Sequence, residues 1–179
     1  MDIKAIDKRI FLILVIICLS GAFPAIFSPN PSIGIIFPIL EMVLVWFLLV
    51  LGISYLLRFA PTHKDVKLQE FSLFVGFGFI PVLISNIVLS IITILKPAIL
   101  TNLETINELE MYLSSHPLYS LWFIIPKILP FIAYLAMAII IGFAIKKIYQ
   151  INLTWAMYLS IPLVFLTSFS ISTLFITFL

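Results

Sequence analysis

Apolar residues run along this chain in long unbroken blocks, not in alternation with polar ones. Five blocks, at about 10–27, 33–60, 71–95, 118–145 and 153–178, are separated by short polar stretches. Each is long enough to cross a bilayer core of about 30 Å as a helix. Strands are excluded by the absence of a period of two and by the small number of blocks, too few to close a barrel. The pattern predicts an all-α, polytopic membrane bundle of about five transmembrane helices, forming one domain over residues 1–179.

Two glycines and a proline interrupt the third block in "FVGFGFIPVL", at Gly76, Gly78 and Pro81. Glycine costs about 1 kcal/mol and proline about 3 kcal/mol in a helix interior. A kink is predicted near Phe77, whose carbonyl Pro81 cannot satisfy, with the glycines admitting a neighbouring helix closely. Pro126 and Pro130 predict the same device in the fourth block, on either side of Lys127.

Composition places the chain in the membrane class: 63% of its 179 residues are hydrophobic and 10% charged, against about a quarter charged in soluble domains. The lipid bilayer is thus the first partner. A net charge of +2 gives no footprint for nucleic acid. Lys4, Lys8, Arg9, Arg58, Lys64, Lys67, Lys146 and Lys147 fall on one side of the predicted spans, and Lys96 with Glu104, Glu108 and Glu110 on the other. By the positive-inside rule the N-terminus is expected inside and the C-terminus outside. A competing reading of the first block is a cleaved signal peptide ending near the small residues Ser20 and Ala22. Thr101 and Glu104 form a candidate capping box, and apolar spacing after them predicts an amphipathic surface helix over about 102–114.

Catalytic and metal chemistry find no constellation. Cys18 is the only cysteine, so no internal disulfide can form. His63 and His116 fall on opposite sides of the predicted membrane, and no zinc-protease helix, nucleophile elbow or phosphate loop is present. No cofactor and no enzymatic activity are expected. The residues that break the membrane rule are Glu41 and Lys127, inside the second and fourth blocks. A charge at the centre of a spanning helix costs about 3 kcal/mol on insertion scales. Both are expected eight or nine residues below the outer boundary, about 12 Å down. Ser85, Asn86, Thr167, Ser168 and Ser170 reach the same half of the membrane. An intramembrane ion pair of Glu41 with Lys127, bonded to Asn86 or hydroxyls of the last span, is one reading. Independent snorkelling of each charge to the headgroups is the other.

The tryptophan-bearing "VLVWFLLVLGISYLLRFA", the polar loop after it and "LQEFSLFVGFGFIPVLISNIVLSI" resemble the Yip family of Ypt/Rab-interacting membrane proteins and its prokaryotic relatives. The family's Gly-Tyr-x-x-x-Pro pattern is matched by Gly76, Phe77 and Pro81, and "LAMAIIIGFAIKKIYQINLTWAMYLSIPLVF" is similar to its fourth span, inner turn and fifth span. The resemblance implies a five-span bundle with a cytosolic N-terminus and a non-enzymatic, trafficking-like role organising membrane partners or lipids, with a membrane protein or a second copy as partner. Small-GTPase binding is not carried over, because Phe77 replaces the tyrosine and only about nine residues precede the first span. The alternative expectation is a small transporter or channel using the Glu41, Asn86 and Lys127 layer. Isoleucine-rich spans without long extramembrane domains suggest a bacterial or archaeal cell membrane.

Overall fold

The computed structural model describes residues 3–26, 36–57, 68–97 and 112–178. Every regular element among them is helical: α1 (Ile3–Ile26), α2 (Ile36–Leu57), α3 (Leu68–Phe77), α4 (Ile80–Leu95), a 3-10 turn (Pro117–Ser120), α5 (Leu121–Tyr149) and α6 (Leu153–Phe178). The protein is an all-α membrane bundle. Four helical stretches are long and apolar enough to cross a bilayer: Ile36–Leu57, Glu70–Leu95, Pro117–Tyr149 and Leu153–Thr173. In α1 the apolar stretch is shorter, Phe11–Phe23, because the exposed charges of Lys8 and Arg9 occupy the preceding turn. The amphipathic helix expected over 102–114 lies outside the described residues except at its end, where 112–115 form one helical turn.

The helices close into a ring in which α1 packs on α2, α2 on α6, α6 on α5, and the α3–α4 pair fills the gap between α5 and α1. Neighbours run antiparallel around most of it. Gly21 near the end of α1 meets Pro38 near the start of α2, and Gly142 late in α5 meets Met157 and Ser160 early in α6. We call the end of the bundle at Ile26, Ile36, Leu95 and Leu121 the upper end.

The break between α3 and α4 has a local cause. The Gly78 N–H is shared between the carbonyls of Phe74 at 3.2 Å and Val75 at 3.0 Å, and the Phe79 N–H bonds Gly76 at 3.1 Å. These shorter-range bonds tighten the chain just before Pro81, which lacks an N–H and takes its place in the first turn of α4. A Cβ at Gly76 would collide with the Ile13 side chain of α1, and one at Gly78 would lie 3.2 Å from Ile141 Cγ1 of α5. Two neighbours therefore close on the interrupted span from different sides. By contrast, α5 continues as one helix through both Pro126 and Pro130, so the fourth block carries its prolines without the two-residue gap that separates α3 from α4. Each proline frees only one carbonyl, and in lipid the surrounding backbone keeps its bonds because no water competes for them.

At the lower end α5 stops where Gln150 turns left-handed at φ 56°. Asn152 then caps α6, its Oδ1 accepting the Thr154 N–H at 3.2 Å. The lower half is solid: Ile17, Leu49, Ile53, Phe71, Ile141 and Ile145 are wholly or almost wholly buried. Phe71 meets Tyr149 edge-on at 5.7 Å, and Lys147 lies over the Phe74 ring.

Candidate functional site

The upper half of the ring is not filled in the same way. It leaves a partly open cavity of about 230 Å3, to which α1 gives Ser20 and Gly21, α2 Pro38, Glu41 and Met42, α4 Val82, Ser85 and Asn86, and α5 Pro130, Ala133 and Tyr134. The last helix reaches the site through Ser172, whose hydroxyl donates to Glu41 Oε1 in a short hydrogen bond. All five ring positions thus contribute at one level. Pro38 and Pro130 help to keep the cavity open, since each puts a compact ring where a longer side chain would fill the space.

Hydrogen bonds fix the wall between α1 and α4. Ser20 turns its hydroxyl to the Ile17 carbonyl at 2.7 Å, while its own carbonyl accepts the Asn86 side-chain amide at 2.6 Å. One turn higher, Ser90 donates to the Asn86 carbonyl at 2.8 Å and approaches that of Phe23 at 3.3 Å. These side chains occupy one stripe of α4, and they tie it to the last turns of α1. Ser85 behaves differently. Its hydroxyl is buried on the cavity wall with 3% of the residue exposed, and it makes no hydrogen bond. Ser168, one turn from Ser172 on α6, is 4% exposed and likewise unbonded.

The sequence-singled polar residues are distributed unevenly. Glu41, Ser85 and Asn86 share the cavity, and Ser168 is buried on α6 outside its lining. Lys127 is exposed, stands outside the lining, and among the described residues makes no ion pair with Glu41. The expected pairing is corrected by depth. Glu41 shares its cavity with Pro130, Ala133 and Tyr134, which places it one to two helical turns below Lys127 and not level with it. The rise along α5 accounts for the exposure of Lys127. From Lys146 to Lys127 the helix climbs about 29 Å, so a basic turn resting at one boundary of a bilayer core brings Lys127 to the other.

Three residues were missed by sequence reasoning. Ser172 is the hydroxyl that meets Glu41, where Thr167, Ser168 and Ser170 had been singled out; the signal was the four-residue recurrence of Ser160, Ser168 and Ser172 along one face of α6. Ser20 contributes through its backbone carbonyl, which no residue pattern announces. Tyr134 lines the same cavity as Glu41.

Chemically the site is a carboxylate with hydroxyl, amide and phenol groups around it and, among the described residues, no cation bonded to it. Among the described residues no three His, Cys, Asp or Glu side chains gather into a metal-binding group. Fold and cavity together define a polytopic α-helical membrane protein with a largely apolar cavity, bearing a few polar groups, in the upper half of its ring. In comparisons with known proteins the chain matches no protein-family model, no curated protein and no solved structure.

Proposed function

We propose that this is a non-enzymatic, multi-pass membrane protein that admits a small polar ligand into the Glu41 chamber, for binding or for passage across the bilayer. One observation carries this reading: an intramembrane carboxylate held by Ser172 and lining a cavity, with no cation among the described residues paired to it. Such a group costs about 2.5–3.5 kcal/mol at a helix centre and marks a functional site by default. In this reading α1 is the fifth crossing, and the lower end faces the cytoplasm of a bacterial or archaeal cell. Lys8, Arg9, Lys146 and Lys147 at that end, against Lys96 and Lys127 at the other, support the orientation. The chamber then opens toward the outside.

A second reading keeps the Yip-like role of organising membrane partners. Its support is that the break between α3 and α4 falls on the residues that carry the resemblance, Gly76 to Pro81, with Phe77 exposed on the outside of the bundle.

The test is access. In a Cys18→Ala background, Ala133→Cys or Val82→Cys places a thiol on the chamber wall. A membrane-impermeant thiol reagent added outside intact cells is expected to modify it, and Glu41→Gln is expected to abolish uptake or binding of the ligand. Thiols that stay unmodified from both sides of the membrane would overturn the chamber reading.

A further inference from the structure

We propose that the chamber takes the primary ammonium end of a zwitterion, with Glu41 as its counter-ion and Lys127 holding the anionic end; this deepens the chamber reading and rests on it. Three observations of the wall converge. The carboxylate has a hydroxyl donor in Ser172 and, among the described residues, Lys127 does not reach it, so a positive group is the complement the wall calls for. Ser85, buried and unbonded on the wall, offers a free acceptor, and Asn86 uses its amide nitrogen on Ser20, which leaves its side-chain oxygen for a donor. An ammonium carries three N–H donors, matching Glu41, Ser85 and Asn86 one for one.

Size argues against a bare ion. A cavity of about 150 Å3 takes benzene with its six carbons. The 230 Å3 here accommodates, in proportion, about nine non-hydrogen atoms. The aminoethyl end of such a zwitterion, about three non-hydrogen atoms, fits with room for water.

Lys127 supplies the other pole. It precedes Pro130 by three residues and Tyr134 by seven, so it continues upward the stripe of α5 that lines the chamber. It is exposed and has no anion bonded to it among the described residues. One to two turns separate it from the Glu41 level, about 5–10 Å, a span that an extended zwitterion with two long side chains can bridge. An ammonium reaching down and a phosphate or carboxylate staying at headgroup height satisfy both charges at once. The shared chemistry fits the headgroup of an aminophospholipid of the outer leaflet or a free zwitterion from outside.

Protection of the chamber thiol separates these cases. Ala133→Cys in the Cys18→Ala background is reconstituted in phosphatidylcholine vesicles, and its rate of modification is measured alone, with free phosphoethanolamine, and with phosphatidylethanolamine or phosphatidylglycerol in the bilayer. At least a five-fold slowing by phosphatidylethanolamine alone assigns the headgroup, and slowing by free phosphoethanolamine assigns the free zwitterion; either supports the proposal. Glu41→Gln is expected to remove the protection entirely, and Lys127→Gln to weaken it about three- to ten-fold. Equal protection by phosphatidylglycerol, none by any ammonium compound, or protection that survives Glu41→Gln overturns the proposal while leaving a solvated chamber intact. A thiol that is never modified removes the chamber and the proposal together. Val82→Cys repeats the series should Ala133→Cys fold poorly.

Discussion

Gly21 is where α1 and α2 approach most closely beside the chamber, and an alanine there is a sharp probe of the packing. A Cβ on Gly21 would collide with the Pro38 carbonyl oxygen and stand only 2.7 Å from Pro38 C and 2.8 Å from Ile39 Cα. All three are backbone atoms, so no side chain can rotate away. Restoring ordinary contact requires α1 and α2 to part by about 1 Å, a gap that forfeits a quarter to a half of each dispersion contact along the interface. Overpacking of this kind costs about 1–3 kcal/mol, against which alanine recovers up to about 1 kcal/mol of helix propensity. Gly52 on the same helix pair is the control, because nothing lies within 4 Å of a Cβ built there. Gly21→Ala is expected to lose about 1–2 kcal/mol and Gly52→Ala to be neutral or more stable. Equilibrium unfolding in mixed detergent micelles, followed by helicity, reads both. Equal responses of the two glycines would refute the close approach.

Other expectations follow from single contacts. Asn86→Ala removes the bond to the Ser20 carbonyl and is expected to cost about 0.6–1.7 kcal/mol in the same unfolding assay, the range measured for hydrogen bonds between membrane helices. Phe71→Ala and Phe79→Ala empty fully buried sites and are each expected to cost about 3–5 kcal/mol. Glu41→Gln keeps an acceptor for Ser172 while removing a charge, so the bundle is expected to unfold no more readily than the native protein although ligand binding is lost; destabilisation beyond about 1 kcal/mol would make Glu41 a structural group. Lys127→Ala removes an exposed, unbonded side chain and is expected to stay within about 0.5 kcal/mol of native stability.

Fold class was legible because lipid allows few solutions: a continuous apolar block of spanning length can satisfy its backbone only as a helix. The interruption at Gly76, Gly78 and Pro81 was legible for the same reason, since those residues carry their backbone preference wherever they stand. Pro126 and Pro130 lack the same N–H as Pro81, yet the helix is divided only where glycines precede the proline. Glu41, Ser85 and Asn86 announced themselves as polar groups in an apolar setting. What could not be read was depth. Counting from guessed boundaries put Lys127 level with Glu41, whereas α5 extends over 29 residues and overshoots a bilayer core, lifting Lys127 by more than a turn. The Ser20 carbonyl was invisible for a different reason, and Ser172 was marked only by its shared face with Ser168: which face of α6 and which turn of α1 meet α2 and α4 is decided by the ring closing.

The most direct measurement asks whether Glu41 faces water inside the bundle. The native protein in sealed vesicles is treated with a hydrophilic carbodiimide and an amine, and modified carboxylates are located by peptide mass spectrometry. Amide formation at Glu41 is the expected result, at a rate that falls when a ligand fills the chamber. A Glu41 that stays unmodified while carboxylates outside the membrane react would contradict a solvated chamber at this level of the ring.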